Sequence, residues 1–293
     1  MSDMTRLRRS LLYMPGSNAR ALEKGRSLPA DGLILDLEDA VAPDAKEHAR
    51  VQVMAAIADG GYGAREILVR VNGLDTPWGA ADIAAVAASA AAGVVLPKVE
   101  SAAMVRTAED RLVGSGASDD MRIWCMIETP RGVLQAGEIA GASPRLAGFI
   151  MGTNDLAKEL RCQQTADRMP FMTSFGLCLL AARAHGLAII DGVHPDIADE
   201  EGFKAVCRQG RALGFDGKSL IHPRTIAPAN EIFAPSEAEL KWARRIIDAY
   251  EAARAAHQAV IAVDGQLVED LHVADARRLL AFADRIAATM QTE

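Results

Sequence analysis

Short apolar, β-rich runs alternate with Ala-rich helical stretches along most of this chain, and that alternation limits its fold more than any other feature. Eight such runs occur, at residues 10–14, 32–37, 66–71, 93–97, 122–127, 146–151, 187–190 and 217–221. Between them lie segments of helical period, among them 18–25, 45–58, 76–91, 176–185 and 199–213. Strand–helix alternation demands parallel strands joined by right-handed crossovers. Eight repeats at this spacing favour an α/β fold of the closed (β/α)8 TIM barrel type over an open sheet. No glycine-rich phosphate fingerprint follows the first run, which weakens the case for a dinucleotide-binding sheet.

The pattern changes after Ile221. Pro223, Pro228 and Pro235 punctuate what reads as a loop. Ser236 is then a good N-cap, and Glu239 closes a capping box at the head of a helix expected to run to about His257. A short alternating segment from Val260 to Val263 leads into Asp264-Gly265, a strong hairpin signal. A last amphipathic helix is expected from near Val273 to near Met290. The expected division is a barrel over 1–234 and a C-terminal helical extension over 235–293, serving as a lid or as an arm to a neighbouring subunit.

Composition narrows the class. Half of the 293 residues are apolar but few are aromatic, so small side chains must provide close helix-on-sheet packing. The net charge of −7 argues against a nucleic-acid partner and leaves no basic patch for a membrane surface. No apolar run approaches the ~20 residues that span a bilayer. Arg6, Arg8 and Arg9 interrupt any signal-type apolar core at the N-terminus. Cys125, Cys162, Cys178 and Cys207 show no paired spacing and read as the reduced thiols of a cytoplasmic protein.

Barrel enzymes carry their chemistry at the carboxyl ends of the strands. Ionisable or polar groups stand at nearly every predicted strand end: Pro15-Gly16-Ser17-Asn18, then Asp36, Glu38 and Asp39, Arg70 and Asn72, Lys98 and Glu100, Glu128, Asn154 and Asp155, Asp191 and His194, and His222. Such a ring is costly in a core and ordinary in a catalytic cup. Glu128 and Asp155 follow neighbouring strands, and two hard oxygen ligands with open positions left over suit Mg²⁺ shared with water and a chelating substrate. Arg70 lies inside an apolar strand and needs an anionic partner. A substrate carboxylate or oxyanion would fit its bidentate fork; a structural pair with Asp36 or Glu38 would also satisfy it.

Asp36 and Glu38 share one strand face, where they either orient Arg70 or a metal-bound water or take a direct part in the chemistry. The turn Pro15-Gly16-Ser17-Asn18 opens a helix and offers backbone N–H groups to an anion. Lys98 is a phosphate anchor or, the favoured reading, a partner for Glu100. His222 either donates to a substrate oxygen or braces its loop, while His185 and His194 read as surface and loop histidines. No Cys-His or Ser-His-Asp order suggests a covalent nucleophile, and no lysine stands alone in an apolar strand as a Schiff-base lysine would, Lys98 being the nearest to one.

Taken together these motifs resemble the citrate lyase β-subunit-like family of the aldolase/citrate lyase superfamily. The resemblance runs from Arg9-Ser10-Leu11-Leu12-Tyr13-Met14-Pro15-Gly16 through Asp36-Leu37-Glu38-Asp39, Val69-Arg70-Val71-Asn72, Leu96-Pro97-Lys98, Ile127-Glu128-Thr129 and Gly152-Thr153-Asn154-Asp155 to Ile221-His222-Pro223. It implies a TIM barrel and Mg²⁺-dependent carbon–carbon lysis of a 3-hydroxyacyl-CoA, such as malyl-CoA or citramalyl-CoA, to acetyl-CoA and a 2-oxo acid. Glu128 and Asp155 are then metal ligands, and Arg70 contacts the oxo-acid oxygens. Homotrimers or hexamers are also implied. Citryl-carrier-protein lysis, thioester hydrolysis and aldol cleavage of free oxo acids are the alternatives. One position departs from the family pattern. The C-terminal Gly-x-Met-[Val/Ile]-Asp motif reads Gly265-Gln266-Leu267-Val268-Glu269 here, so Glu269 stands where the lyases place a proton-transferring Asp, with Asp270 beside it. Glutamate is one methylene longer, and reacting geometry is unforgiving at the ~1 Å level.

Overall fold

The computed structural model describes residues 6–255 and 261–290. The chain forms two compact units, one ending at Phe233 and the other beginning at Ala234. In the first, β1 (Ser10–Pro15), β2 (Gly32–Asp36), β3 (Glu66–Arg70), β4 (Gly93–Leu96), β5 (Arg122–Ile127), β6 (Leu146–Met151), β7 (Ala188–Asp191) and β8 (Gly217–Leu220) close into a barrel in chain order. All pairings are parallel, and β8 returns to β1 with Ser10 opposite Lys218. The eight predicted runs match these strands to within one residue at each end.

Around the barrel run α1 (Ala19–Gly25), α2 (Lys46–Asp59), α3 (Gly79–Ala87), α4 (Ala102–Gly114), α5 (Pro130–Leu134), α6 (Ala136–Ala140), α7 (Thr153–Leu160), α8 (Met172–Ala184), α9 (Glu200–Leu213) and α10 (Ile226–Phe233). Five depart from the sequence expectation. Helix α3 is shorter than 76–91 because Thr76 is held in a turn, its hydroxyl donating to the Gly73 carbonyl at 2.7 Å and accepting the Gly79 N–H. The stretch from Gly132 to about Ala142, whose sequence reads as one helix, instead splits at Gln135 into α5 and α6, and α5 starts early because Thr129 caps it ahead of Pro130. Helix α8 begins a turn before Gly176, so that glycine is interior. Its propensity cost of ~1 kcal/mol is offset by the buried Phe175 and Cys178 beside it. Pro228 does not mark a loop: it sits in the first turn of α10, the part of a helix that tolerates proline.

The two-residue period of the strands sorts the core. Leu11, Ile34, Leu68, Val95, Trp124, Ile150 and Ile190 fill the barrel, while Leu12, Leu33, Val69, Cys125, Phe149 and Ile189 pack outward against the helices. Arg8 closes the amino-terminal end. Its guanidinium lies over the Trp124 ring and donates twice to buried Glu66, at 2.6 and 2.8 Å. The same inward register, followed to the other end, delivers Tyr13, Asp36, Arg70 and Glu128 to the mouth.

The second unit comprises α11 (Glu237–Ala255), the antiparallel pair β9 (Ile261–Val263) and β10 (Gln266–Val268), and α12 (Asp270–Met290). Ala243, Ile246, Val263, Val268, Val273 and Ala276 form its own small core. The expected capping box is present: Ser236 N–H donates to Glu239, and Glu239 N–H to the Ser236 hydroxyl. Asp264 and Gly265 both adopt positive φ, as a tight hairpin requires. Helix α12 starts three residues before Val273. The predicted helix end near His257 and the start of the alternating segment at Val260 lie outside the described residues. No helix among the described residues is long and apolar enough to cross a membrane.

Candidate active site

Arg70 is the last residue of β3 and faces inward beside Asp36 at the end of β2, its register partner. Its Nε and one terminal nitrogen donate to the two Asp36 oxygens at 2.7 and 2.5 Å. The other terminal nitrogen lies 2.9 Å from Glu38 and 3.7 Å from Asp39. Burial disfavours the guanidinium, but the hydrogen bond to Asp36 and the surrounding acids outweigh it and hold Arg70 well above its ordinary pKa. Asp36 also accepts the Glu38 and Ala40 N–H groups. Of the two partners left open for Arg70, the structural pair is present, and it takes up the bidentate fork. Asp36, with four donors, orients Arg70 and the loop after β2.

Glu38 is buried, and burial pushes its carboxyl up despite Arg70 and Lys98 beside it. Lys98 donates to Glu38 at 2.5 Å, not to Glu100 as the sequence suggested; Glu100 instead lies 4.0 Å from Arg131. The cause is backbone geometry: Lys98 adopts a positive φ of 50°, which turns the residue after Pro97 across to β2. Its ammonium also lies 3.8 Å from Asp155. Burial lowers the Lys98 pKa, but the Glu38 hydrogen bond outweighs that and leaves it raised. Lys46 anchors the same loop by donating to the Leu37 and Glu38 carbonyls.

Glu128 follows β5 and is only 2% exposed. It accepts the Lys98 backbone N–H at 2.8 Å, yet burial dominates and raises its pKa to about 7. Asp155 sits one strand further round, in the first turn of α7. Both acids line a cavity of about 380 Å³ in the barrel mouth, together with Tyr13, Asp39, Arg70 and Asn154, and with an apolar wall that includes Val193 and Ile221. Among the described residues no three His, Cys, Asp or Glu side chains gather as a complete ligand set. Two carboxylates with room beside them fit Mg²⁺, which keeps waters and substrate oxygens in its shell.

The remaining predicted residues have partners of their own. Pro15 lines the cavity, but Gly16 and Asn18 use their N–H groups on the Asp36 and Pro15 carbonyls, and the Asn18 side chain caps α1. Ser17 is exposed and outside the lining. The loop therefore offers no ready anion cradle. His222 accepts the Arg224 N–H through Nδ1, bracing its own turn away from the lining. Glu269 lies in the second unit, immediately before α12, where its backbone N–H donates to His272 and its carboxylate is exposed. Asp270 beside it accepts from the Tyr250 hydroxyl at 2.6 Å, which holds that carboxylate in place.

Tyr13, Lys218 and Arg168 escaped the sequence reading. Tyr13 lines the cavity from the inner face of β1, where the two-residue period would have pointed it. Lys218 is a lone lysine in a strand after all, 1% exposed in β8. It faces outward with Asp191, which is a strand-end acid but does not reach the cup: Lys218 and Arg168 both bind it behind the barrel wall.

A parallel eight-stranded barrel with two carboxylates and an arginine at its mouth is an arrangement suited to metal-assisted catalysis. The chain belongs to the HpcH/HpaI aldolase/citrate lyase family, whose sequence profile matches residues 9–223. It is 52% identical over 280 residues to a protein named (3S)-malyl-CoA thioesterase from Cereibacter sphaeroides, covering 96% of each chain. To citrate lyase subunit beta of Leuconostoc mesenteroides subsp. cremoris it is 36% identical, over 95% of this chain and 94% of that one. Among solved structures, CitE of Mycobacterium tuberculosis in complex with magnesium, acetoacetate and coenzyme A superposes with a TM-score of 0.77 at 32% identity, covering 94% of this chain and 97% of that one.

Proposed function

We propose that the chain hydrolyses the thioester of a malyl-type 3-hydroxyacyl-CoA with the help of Mg²⁺. The observation that carries this is the pairing of Glu128 and Asp155 beside a cavity sized for a small acyl group. The 52% identity to proteins named malyl-CoA thioesterases supports hydrolysis over lysis, and the magnesium- and coenzyme A-bound CitE structure supports the choice of cofactor and thioester.

Glu128 and Asp155 would hold the cation, which would supply positive charge to chelating oxygens of the acyl group. Arg70, fixed by Asp36 and Glu38, presents its charge to the same space. Lys98 keeps Glu38 oriented and gives its N–H to Glu128. With those acids engaged, Asp39, which lines the cavity and has a largely exposed carboxylate, is the group placed to take the proton of an attacking water. The reaction is set in the cytoplasm by a homotrimer or hexamer.

Lysis to acetyl-CoA and a 2-oxo acid is the second reading, favoured by the exposed carboxylate of Glu269 at the position of the family's proton-transferring acid. Product analysis by mass spectrometry separates the two. Purified protein, Mg²⁺ and malyl-, citramalyl- or citryl-CoA should yield free CoA with the hydroxy acid intact. Acetyl-CoA with an oxo acid would establish lysis instead. Silence on all three would reject both readings and direct attention to carrier-protein-bound citryl.

A further inference from the structure

Tyr13 has a role that follows from what its neighbours are already doing. The ring stands on the inner face of β1, above Leu11, and borders the same cavity as Arg70 and Glu128. Its hydroxyl donates to the thioether sulfur of Met126 at 3.6 Å. A thioether is a weak acceptor, so a phenol at the mouth of the barrel is left with most of its donor capacity. The stronger donors around it are engaged. Arg70 directs Nε and one terminal nitrogen at Asp36, and Ser219 gives its hydroxyl to the Asp191 carbonyl at 2.9 Å.

The Arg70 guanidinium also lies over the Tyr13 ring, 4.9 Å from its centroid. A cation there draws on the ring's π electrons and strengthens the O–H as a donor. Burial holds the phenol up, so it stays protonated through the neutral range. A half-buried phenol that faces a ligand cavity and has only a weak internal acceptor gains a stronger hydrogen bond when a ligand oxygen replaces that acceptor.

We infer that Tyr13 is a substrate-binding residue, its hydroxyl leaving Met126 to donate to an acyl-group oxygen at the end of the cavity between Arg70 and Glu128. The inference rests on the reading that an acyl thioester occupies this cavity. Arg70 then acts on the substrate through charge and through Tyr13, and the phenol supplies the directional hydrogen bond that the engaged fork does not.

The test is Tyr13→Phe, which keeps the ring and its stack beneath Arg70. Dissociation constants for Mg²⁺ and for oxaloacetate in the presence of Mg²⁺ are measured by calorimetry, with kcat/KM on the CoA ester that the wild type turns over. The expected result is a roughly 10- to 100-fold loss in oxaloacetate affinity and in kcat/KM, the range for a hydrogen bond to a charged group, with Mg²⁺ affinity and melting temperature unchanged. Equal oxaloacetate affinity in both proteins overturns the inference. A second measurement needs no variant at position 13. The chain has three tyrosines, Tyr13, Tyr62 and Tyr250. With ¹³Cζ-labelled tyrosine and assignment through Tyr62→Phe and Tyr250→Phe, the Tyr13 signal should shift when oxaloacetate and Mg²⁺ are added, and an unmoved signal refutes the assignment. Failure of the wild type on every CoA ester would reject the proposed activity alone, because the oxaloacetate measurements report on Tyr13 independently.

Discussion

Gly152 stands where any side chain would strike Glu128: a Cβ added there would lie 2.2 Å from Oε2 and 2.4 Å from the Glu128 Cβ. The residue just past β6 thus lacks a side chain, which leaves the Glu128 side chain, just past β5, room to lie against it.

Gly152→Ala should accordingly act on the metal site more than on the fold. Overpacking of this kind costs ~1–3 kcal/mol, part of which relaxes by swinging Glu128 away. The expected outcome is a drop of a few degrees in melting temperature together with a loss of Mg²⁺ affinity of at least tenfold, measured by calorimetry. Unchanged Mg²⁺ binding would mean that Glu128 is not a ligand.

Glu128 also sets a pH dependence of unusual sign. A carboxyl raised from its ordinary value to about 7 binds its proton more tightly in the folded than in the unfolded chain. The stability it contributes is complete at low pH and is lost as pH rises through 7, opposite to an ion-paired acid. The full swing is about 3 kcal/mol at 1.36 kcal/mol per unit. Metal-free protein should therefore lose stability to urea between pH 5 and 8, and Glu128→Gln should flatten that trend. Mg²⁺ must displace the same proton, so its affinity should fall about tenfold per unit below pH 7 and level off above it.

The Arg70–Asp36 pair predicts coupled losses. Arg70→Met strands the buried Asp36 carboxylate, and Asp36→Asn leaves a buried guanidinium poorly compensated. Each should cost ~3–5 kcal/mol, the range for breaking a buried ion pair. Arg70→Met combined with Asp36→Asn should cost clearly less than the sum of its single changes, because the second change removes a charge already stranded by the first. Additive losses in urea unfolding would show the two residues to be independent.

The fold was legible because its signals are local and repeated. Each strand of 4–6 residues carries its own apolar run and is bounded by helical period, so barrel closure needed only counting. Helix boundaries were less so, since Thr76, Gln135 and Pro228 act through hydrogen bonds and positions within a turn, which composition does not display. At the mouth, inward register could be read for Asp36, Glu38 and Arg70, and it applied equally to Tyr13, which an apolar run concealed. Which acid takes which base could not be read. Lys98 pairs with a residue sixty positions earlier because of one positive φ, and Lys218 meets Asp191 on the outer face of the barrel, where an alternating strand gives no hint of a partner.

That outer cluster supports a last prediction. Arg168, Asp191 and Lys218 are all buried, and two cations share one anion. Asp191 keeps Arg168 when Lys218 is lost, so Lys218→Met preserves a neutral pair while filling a similar volume, and replacing a buried charge in this way is often neutral or stabilising. Asp191→Asn instead strands two cations and should cost at least ~3 kcal/mol. Lys218 does one further thing: Nζ donates to the Gly192 carbonyl at 2.6 Å, next to Val193 on the cavity wall. Lys218→Met should thus keep its melting temperature while altering KM and the preference between malyl- and citramalyl-CoA, which differ by a methyl group at the acyl end. Should Lys218→Met unfold as readily as Asp191→Asn, its ammonium would be needed for the fold and not for the placement of Val193.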